Sequence, residues 1–164
     1  MILQYLFKKE NKEKKIAISY YKNILEITKN FINNKDYFIT TKFQLSFEIV
    51  SLFLIFYIHL LKENNNRPSK LINDYLIQEF ILDLDESLRK LGIGDMSIGK
   101  HVKSYVKKFY FRLSKFDMLI KNDNKNAMYK YLSFFQIINK NELDHGSDEI
   151  LVIYSSISKL ILKN

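Results

Sequence analysis

The chain has 164 residues, a length typical of one domain, and 47% of them are apolar, which is enough for a substantial core. It carries 26 Lys and Arg against 18 Asp and Glu, a formal net charge of +8. It contains no cysteine, which excludes a disulfide framework, thiolate metal sites and cysteine nucleophiles. One proline and four glycines argue against a turn-rich β fold. We predict a single all-α domain, residues 1–164, of six or seven helices.

Apolar periodicity predicts the elements in chain order. A short helix is expected over residues 2–9, followed by a charged break over 10–15. Residues spaced three and four apart then predict helices over 16–33, 43–63, 70–91, 97–121, 126–139 and 148–162. Ser69 and Ser97 are expected N-caps, and Gly92 is expected to end the preceding helix in a left-handed conformation. Leu91 is expected to face inward.

Residues 49–61 form the most apolar stretch of the chain. They number about 13, whereas a membrane-spanning helix needs roughly 20. Glu48 precedes the stretch and His59 lies within it. The pattern favours a buried core helix, with peripheral contact to a bilayer as the alternative. The first residues lack a basic leader and a cleavage site, so we predict neither a signal peptide nor a transit peptide.

Charge is segregated between two neighbouring helices. Residues 72–95 contain six acids and two bases, a net charge of −4. Residues 96–130 contain nine bases and two acids, a net charge of +7. If these helices pack side by side, they form a dipolar surface that suits recognition of a partner.

The basic helix has one apolar stripe and an opposite cationic side. The stripe comprises Val102, Val106, Phe109, Leu113, Phe116 and Ile120. The other side is expected to hold Lys100, Lys103, Lys107, Lys108, Arg112 and Lys115, with Phe111 among them. This side is either an ordinary solvated face or a surface that meets an acidic protein segment, anionic headgroups or phosphates.

The segment over residues 82–98, LDLDESLRKLGIGDMSI, resembles the signature of the ubiquinol–cytochrome c chaperone family. Lys100, Lys103 and Arg112, the last within Phe-Tyr-x-Arg, continue the match, and Phe47-Glu48 fit the start of the preceding core helix. The resemblance extends over residues 16–140.

The chain departs from the family pattern at four positions. Gly99 stands where Pro is usual, and Phe111 replaces the usual Gly. Ser46 and Phe53 occupy positions where Arg and His are common. Any role of that Arg and His therefore does not transfer to this chain.

The resemblance implies a non-enzymatic assembly chaperone for respiratory complex III that binds newly made cytochrome b. Mitochondrial members of the family work with a small assembly partner near the ribosome exit region and the inner membrane, and both are candidate partners here. The basic face of the 97–121 helix, independently of the resemblance, adds an anionic membrane surface as a third candidate. Without a predicted transit peptide, a bacterial member is expected, cytoplasmic and peripheral to the inner membrane. A basic helical module that binds nucleic acid or the ribosome is the alternative function.

The predicted partner-binding residues combine the acidic helix end with the basic face. They are Asp83, Asp85, Glu86, Arg89, Asp95, Lys103, Lys107, Lys108, Phe111, Arg112 and Lys115. Arg89 is expected to pair with Asp85 one turn earlier.

We predict no catalytic residue, metal site or cofactor. The three histidines lie in separate segments without metal-ligand spacing. The Gly92-Ile93-Gly94 string lacks the third glycine and the preceding strand of a phosphate-binding loop.

Overall fold

Helices make up nearly all of the structure. The computed structural model describes residues 12–33, 35–39, 42–64, 66–120 and 124–162. The helices in these ranges are α1 (Lys12–Ile32), α2 (Lys42–Asn64), α3 (Arg67–Lys90), α4 (Asp95–Leu119), α5 (Asn124–Phe134) and α6 (Leu143–Leu162). A 3-10 turn at Lys140–Glu142 precedes α6, and an isolated bridge joins Phe38 to Ile138. The all-α prediction is confirmed, while the predicted helix over 2–9 lies outside the described residues.

The apolar helix α2 is the centre of the molecule. It contacts α1, α3, α4 and α6, because its sequence is apolar on nearly every side. In the described part of the chain, α2 alone is long and apolar enough to cross a membrane, yet 83% of its apolar window is buried within the protein. The interpretation of 49–61 as a core helix agrees with this burial.

Aromatic side chains join the other helices to α2. From α1, the Tyr20 ring lies 4.9 Å from that of Tyr57. From α4, the Phe116 ring lies 5.5 Å from that of Phe56, and the apolar stripe of α4 faces the core as predicted. Offset and edge-on ring pairs at these separations add to the hydrophobic stabilisation.

Two helices end in hydrogen-bonded Schellman turns. Gly92 has φ of 88°, and the N–H of Ile93 donates to the carbonyl of Leu88, which confirms the predicted end of α3. Gln136 has φ of 51°, and the N–H of Ile137 donates to the carbonyl of Leu132. This second turn ends α5 at Phe134, so the predicted helix over 126–139 is too long.

Four other local predictions, two N-caps, the start of α1 and the burial of Leu91, are wrong. Asn66, rather than Ser69, is the N-cap of α3, and its side chain accepts a 2.8 Å hydrogen bond from the Ser69 N–H. The helix α4 begins at Asp95, so Ser97 lies inside its first turn. The helix α1 begins at Lys12 within the expected charged break. Leu91 lies beyond the end of α3 and is 57% exposed.

Candidate functional site

An apolar groove runs between the first half of α2 and the last half of α3. It has a cavity volume of about 350 Å³, within the roughly 300–1,000 Å³ typical of ligand pockets. Its lining is Phe43, Phe47, Val50, Phe80, Leu84 and Leu91, with Lys42, Ser46, Asp83 and Ser87 also bordering it. The groove can hold apolar side chains by burial, with one cation and one anion available for orientation.

The segment over 82–98 supplies one wall of this groove. Leu84, Ser87 and Leu91 follow one another at spacings of three and four and line the same side of the groove. Leu91 reaches the groove because the chain turns immediately after it at Gly92. The exposed Leu91 is thus explained by its position at an open apolar surface.

The α2 wall of the groove packs against α4. The Tyr105 ring lies 5.5 Å from that of Phe43 and 4.9 Å from that of Phe47. The Arg112 guanidinium lies 5.2 Å from the centre of the Phe47 ring. These contacts fix the two phenylalanines, so the groove has a rigid aromatic wall.

A buried ion pair connects α2 to α4 behind this wall. Arg112 Nε donates to one carboxylate oxygen of Glu48 and Nη2 to the other, each at 2.5 Å. Arg112 also donates to the carbonyl of Lys108 at 3.0 Å, and its guanidinium lies 4.7 Å from the Phe135 ring. Gln44 donates to Glu48 at 2.6 Å. The two planar groups match in a bidentate arrangement, which fixes the register of α4 on α2.

This pair corrects the predicted placement of Arg112. The residue is only 8% exposed, so it does not lie on the solvated cationic side of α4. It follows Phe109 by three positions and precedes Phe116 by four, which puts it at the edge of the apolar stripe. Its participation in partner binding remains a prediction, now without an exposed guanidinium to support it.

The corner between α3 and α4 is held by Arg89. Its Nε donates to Asp85 at 2.6 Å, and its Nη1 donates to Asp95 at the start of α4. The hydrogen bonds to Asp85 and Asp95 raise the pKa of Arg89 above its usual range. The predicted pairing of Arg89 with Asp85 is confirmed, and the pair extends across the turn.

The predicted acidic residues are largely compensated by neighbours. Asp83 is half-buried and accepts a 2.8 Å hydrogen bond from the Tyr21 hydroxyl, whose pKa is raised by burial and by that carboxylate. Glu86 is exposed and pairs with Lys90 at 2.6 Å. Asp85, Asp95 and Glu86 thus have cationic partners, whereas the partner of Asp83 is neutral.

The basic side of α4 is more open. Lys103, Lys107 and Lys108 are exposed, Lys115 is half-buried, and Phe111 is 49% exposed. No carboxylate of the described residues lies within 4.0 Å of these four ammonium groups, whereas Lys108 lies over the Tyr105 ring. The helices α3 and α4 pack together as expected, while a dipolar surface formed by their charged faces stays a prediction.

Sequence reasoning missed the groove because it followed charge rather than apolar shape. A usable signal was present in Phe43, Phe47 and Val50, whose spacing of four and three marks one face of α2. The described residues contain no group of three His, Cys, Asp or Glu side chains positioned to hold a metal ion. The site's recognisable chemistry is non-covalent binding.

A comparison with solved structures shows that this architecture occurs in a known protein. The crystal structure of the Cbp3 homologue from Brucella abortus matches with a TM-score of 0.68 and 23% sequence identity, covering 96% of this chain and 88% of the other. That likeness defines the fold. No curated protein sequence matches the chain significantly.

A comparison with family sequence models shows which family the chain belongs to. The sequence model of the ubiquinol–cytochrome c chaperones matches residues 35–132, more than half of the chain, and includes the whole lining of the groove. The chain belongs to the ubiquinol–cytochrome c chaperone family.

Proposed function

We propose that this protein is a non-enzymatic assembly chaperone of respiratory complex III that holds newly made cytochrome b. The observation that carries the proposal is the family match, because it spans both walls of the apolar groove. We further propose that the chaperone works in the cytoplasm, peripheral to the inner membrane. A small assembly partner and the ribosome exit region remain predicted partners.

The groove offers the chemistry that such a client requires. Membrane-spanning segments are runs of about 20 apolar residues, and before insertion they expose that surface to water. Burying one Leu or Phe side chain contributes about 1.5–3 kcal/mol. Two side chains in the groove would contribute about 3–6 kcal/mol before the cost of association is subtracted. Because association itself costs about 4–15 kcal/mol, two side chains alone do not hold a client, and the bound segment must also contact surface beside the groove.

The test compares two substitutions on the same stretch of chain. Leu91 lines the groove and is 57% exposed, whereas Leu82 is 64% exposed and does not line it. Both Leu91→Asp and Leu82→Asp should fold, because neither places a charge in the core. In a strain lacking the gene, the wild-type chain and Leu82→Asp should restore complex III, and Leu91→Asp should not.

Two readouts separate the parts of this proposal. Complex III at normal levels in the deletion strain would contradict the chaperone function. Full restoration by Leu91→Asp would contradict the groove as the client site and leave the function intact. Co-purification of cytochrome b with the wild-type chain, and its loss with Leu91→Asp, would support both.

A further inference from the structure

A second apolar surface lies on α4 and α5, away from the groove. Phe111 and Met118 on α4 are 49% and 63% exposed, and Phe134 on α5 is 58% exposed. The rings of Phe111 and Phe134 lie 6.4 Å apart, so the two helices present one continuous surface. We call Phe111, Lys115, Met118, Tyr129, Lys130 and Phe134 the aromatic–lysine patch.

The patch has a regular arrangement on each helix. Along α4, Lys107, Phe111, Lys115 and Met118 follow at spacings of four, four and three and form one stripe. Beside it, the α5 residue Phe134 and its neighbours on that helix border a depression of about 420 Å³ that also receives Lys115 and Met118. Apolar and cationic side chains therefore alternate over the same face.

The lysines of the patch are available for an anionic partner. Lys115 Nζ lies 5.5 Å from the centre of the Phe111 ring and 5.3 Å from that of Phe134. Lys130 is exposed, as is Lys107, which precedes the patch by one turn on α4, and none of these three lysines has a carboxylate of the described chain within 4.0 Å. The ammonium group of Lys115 therefore lies over two aromatic rings at the centre of the patch, whereas the Lys130 side chain is exposed at its edge.

We propose that the aromatic–lysine patch docks the protein on an anionic phospholipid bilayer. Surfaces that lie in the headgroup region combine Phe and other apolar side chains with flanking lysines, as this patch does. The lysines complement lipid phosphates, and Phe111, Met118 and Phe134 enter the acyl boundary. A nucleic acid would satisfy the lysines but leave the thioether of Met118 and the depression beside it uncovered, so the bilayer is favoured.

The inference names a surface for the peripheral membrane location proposed above and rests on that part of the proposal, but it does not depend on the client or the groove. Vesicle binding needs no client, and the groove residues used to test the chaperone are absent from the patch. The two proposals can therefore fail separately.

The test is co-sedimentation of the full chain with vesicles. The wild-type chain should sediment with phosphatidylcholine vesicles containing about one-third phosphatidylglycerol, and should dissociate as salt is raised. It should not sediment with phosphatidylcholine alone. The double variant Lys115→Gln/Lys130→Gln should bind about 30-fold more weakly, since each lysine near an anionic surface contributes a factor of about five.

A matched control separates local contact from net charge. Lys22 and Lys29 are exposed on α1, so Lys22→Gln/Lys29→Gln removes the same charge at another place. This control should retain binding close to that of the wild type. Equal loss in both double variants would contradict the patch.

The apolar contribution is tested in the same way. Phe111→Ser/Phe134→Ser should weaken vesicle binding about tenfold or more. The control Leu82→Ser/Val152→Ser alters two residues that are 64% and 67% exposed on α3 and α6, and should not weaken it. Far-ultraviolet circular dichroism verifies that every variant is folded.

Two further outcomes overturn the proposal. One is the absence of sedimentation with the anionic vesicles at low salt. The other is salt-dependent retention of ribosomal RNA that Lys115→Gln/Lys130→Gln abolishes while vesicles are not bound, which would assign the patch to nucleic acid.

Discussion

The buried pair of Glu48 and Arg112 leads to a sharp stability prediction. The Arg112→Met variant leaves the Glu48 carboxylate, 2% exposed, with the hydrogen bond from Gln44 as its remaining described partner. Removing one member of a buried ion pair typically costs about 3–5 kcal/mol, because the other charge stays buried without compensation. For a chain of this length, that loss lowers the melting temperature by about 10–15 °C. Phe47 also loses the guanidinium that supports it.

The double variant decides whether the cost comes from the unpaired charge. Glu48→Leu/Arg112→Met removes both charges and fills similar volume, so it should be more stable than Arg112→Met alone. Urea unfolding followed by circular dichroism measures the free energy of unfolding of the wild type, each single variant and the double variant. Arg89→Met serves as an exposed control, and its midpoint should change far less. A cost below about 1 kcal/mol for Arg112→Met, or additive losses in the double variant, would refute the reasoning.

Three further substitutions have predicted effects on stability. Gly92→Ala should destabilise the protein by about 1–2 kcal/mol, because the φ of 88° at this position is left-handed. Gly99→Ala should stabilise it by up to about 1 kcal/mol, because the residue lies inside α4 and an added Cβ meets open space. Thermal unfolding measures both changes. Burial acts to raise the pKa of Glu149, but hydrogen bonds from Lys35 and Tyr37 outweigh it, and the pKa is lowered. Its ionised form therefore stabilises the fold above the unfolded pKa of about 4.3, and this contribution is lost as pH falls through the folded pKa. Glu149→Gln should reduce stability at neutral pH and have little effect in strong acid; an equal loss at both pH values would exclude this linkage.

Helix positions were predictable because the apolar stripes are long. Six of the predicted helices correspond to α1 through α6, but α6 begins at Leu143, five residues before the predicted start, and α5 ends at Phe134, five residues before the predicted end. Asn66, the N-cap of α3, is not part of the apolar stripe of that helix, and Gln136 ends α5 in a left-handed conformation although it is not a glycine. Such ends depend on one local hydrogen bond or dihedral angle, which periodicity does not contain.

The candidate site was less accessible to sequence reasoning. Arg112 was assigned by its charge to the solvated face, although its spacing from Phe109 and Phe116 places it beside the apolar stripe. Glu48 within the apolar helix was the signal that a buried cation must lie opposite. The groove itself joins residues 42–50 with 80–91, and their mutual approach is set by tertiary packing.

The turn between α3 and α4 is built from interactions that are local in the sequence. Its hydrogen bonds join Arg89 to Asp85 and Asp95, and Ile93 to Leu88, so the two residues of each hydrogen bond lie at most six positions apart in the chain. A turn of this kind can form before the rest of the fold is in place, and it sets where Leu91 meets the groove. The facing wall of α2 reaches the groove only through tertiary packing, so the two walls depend on different levels of the structure.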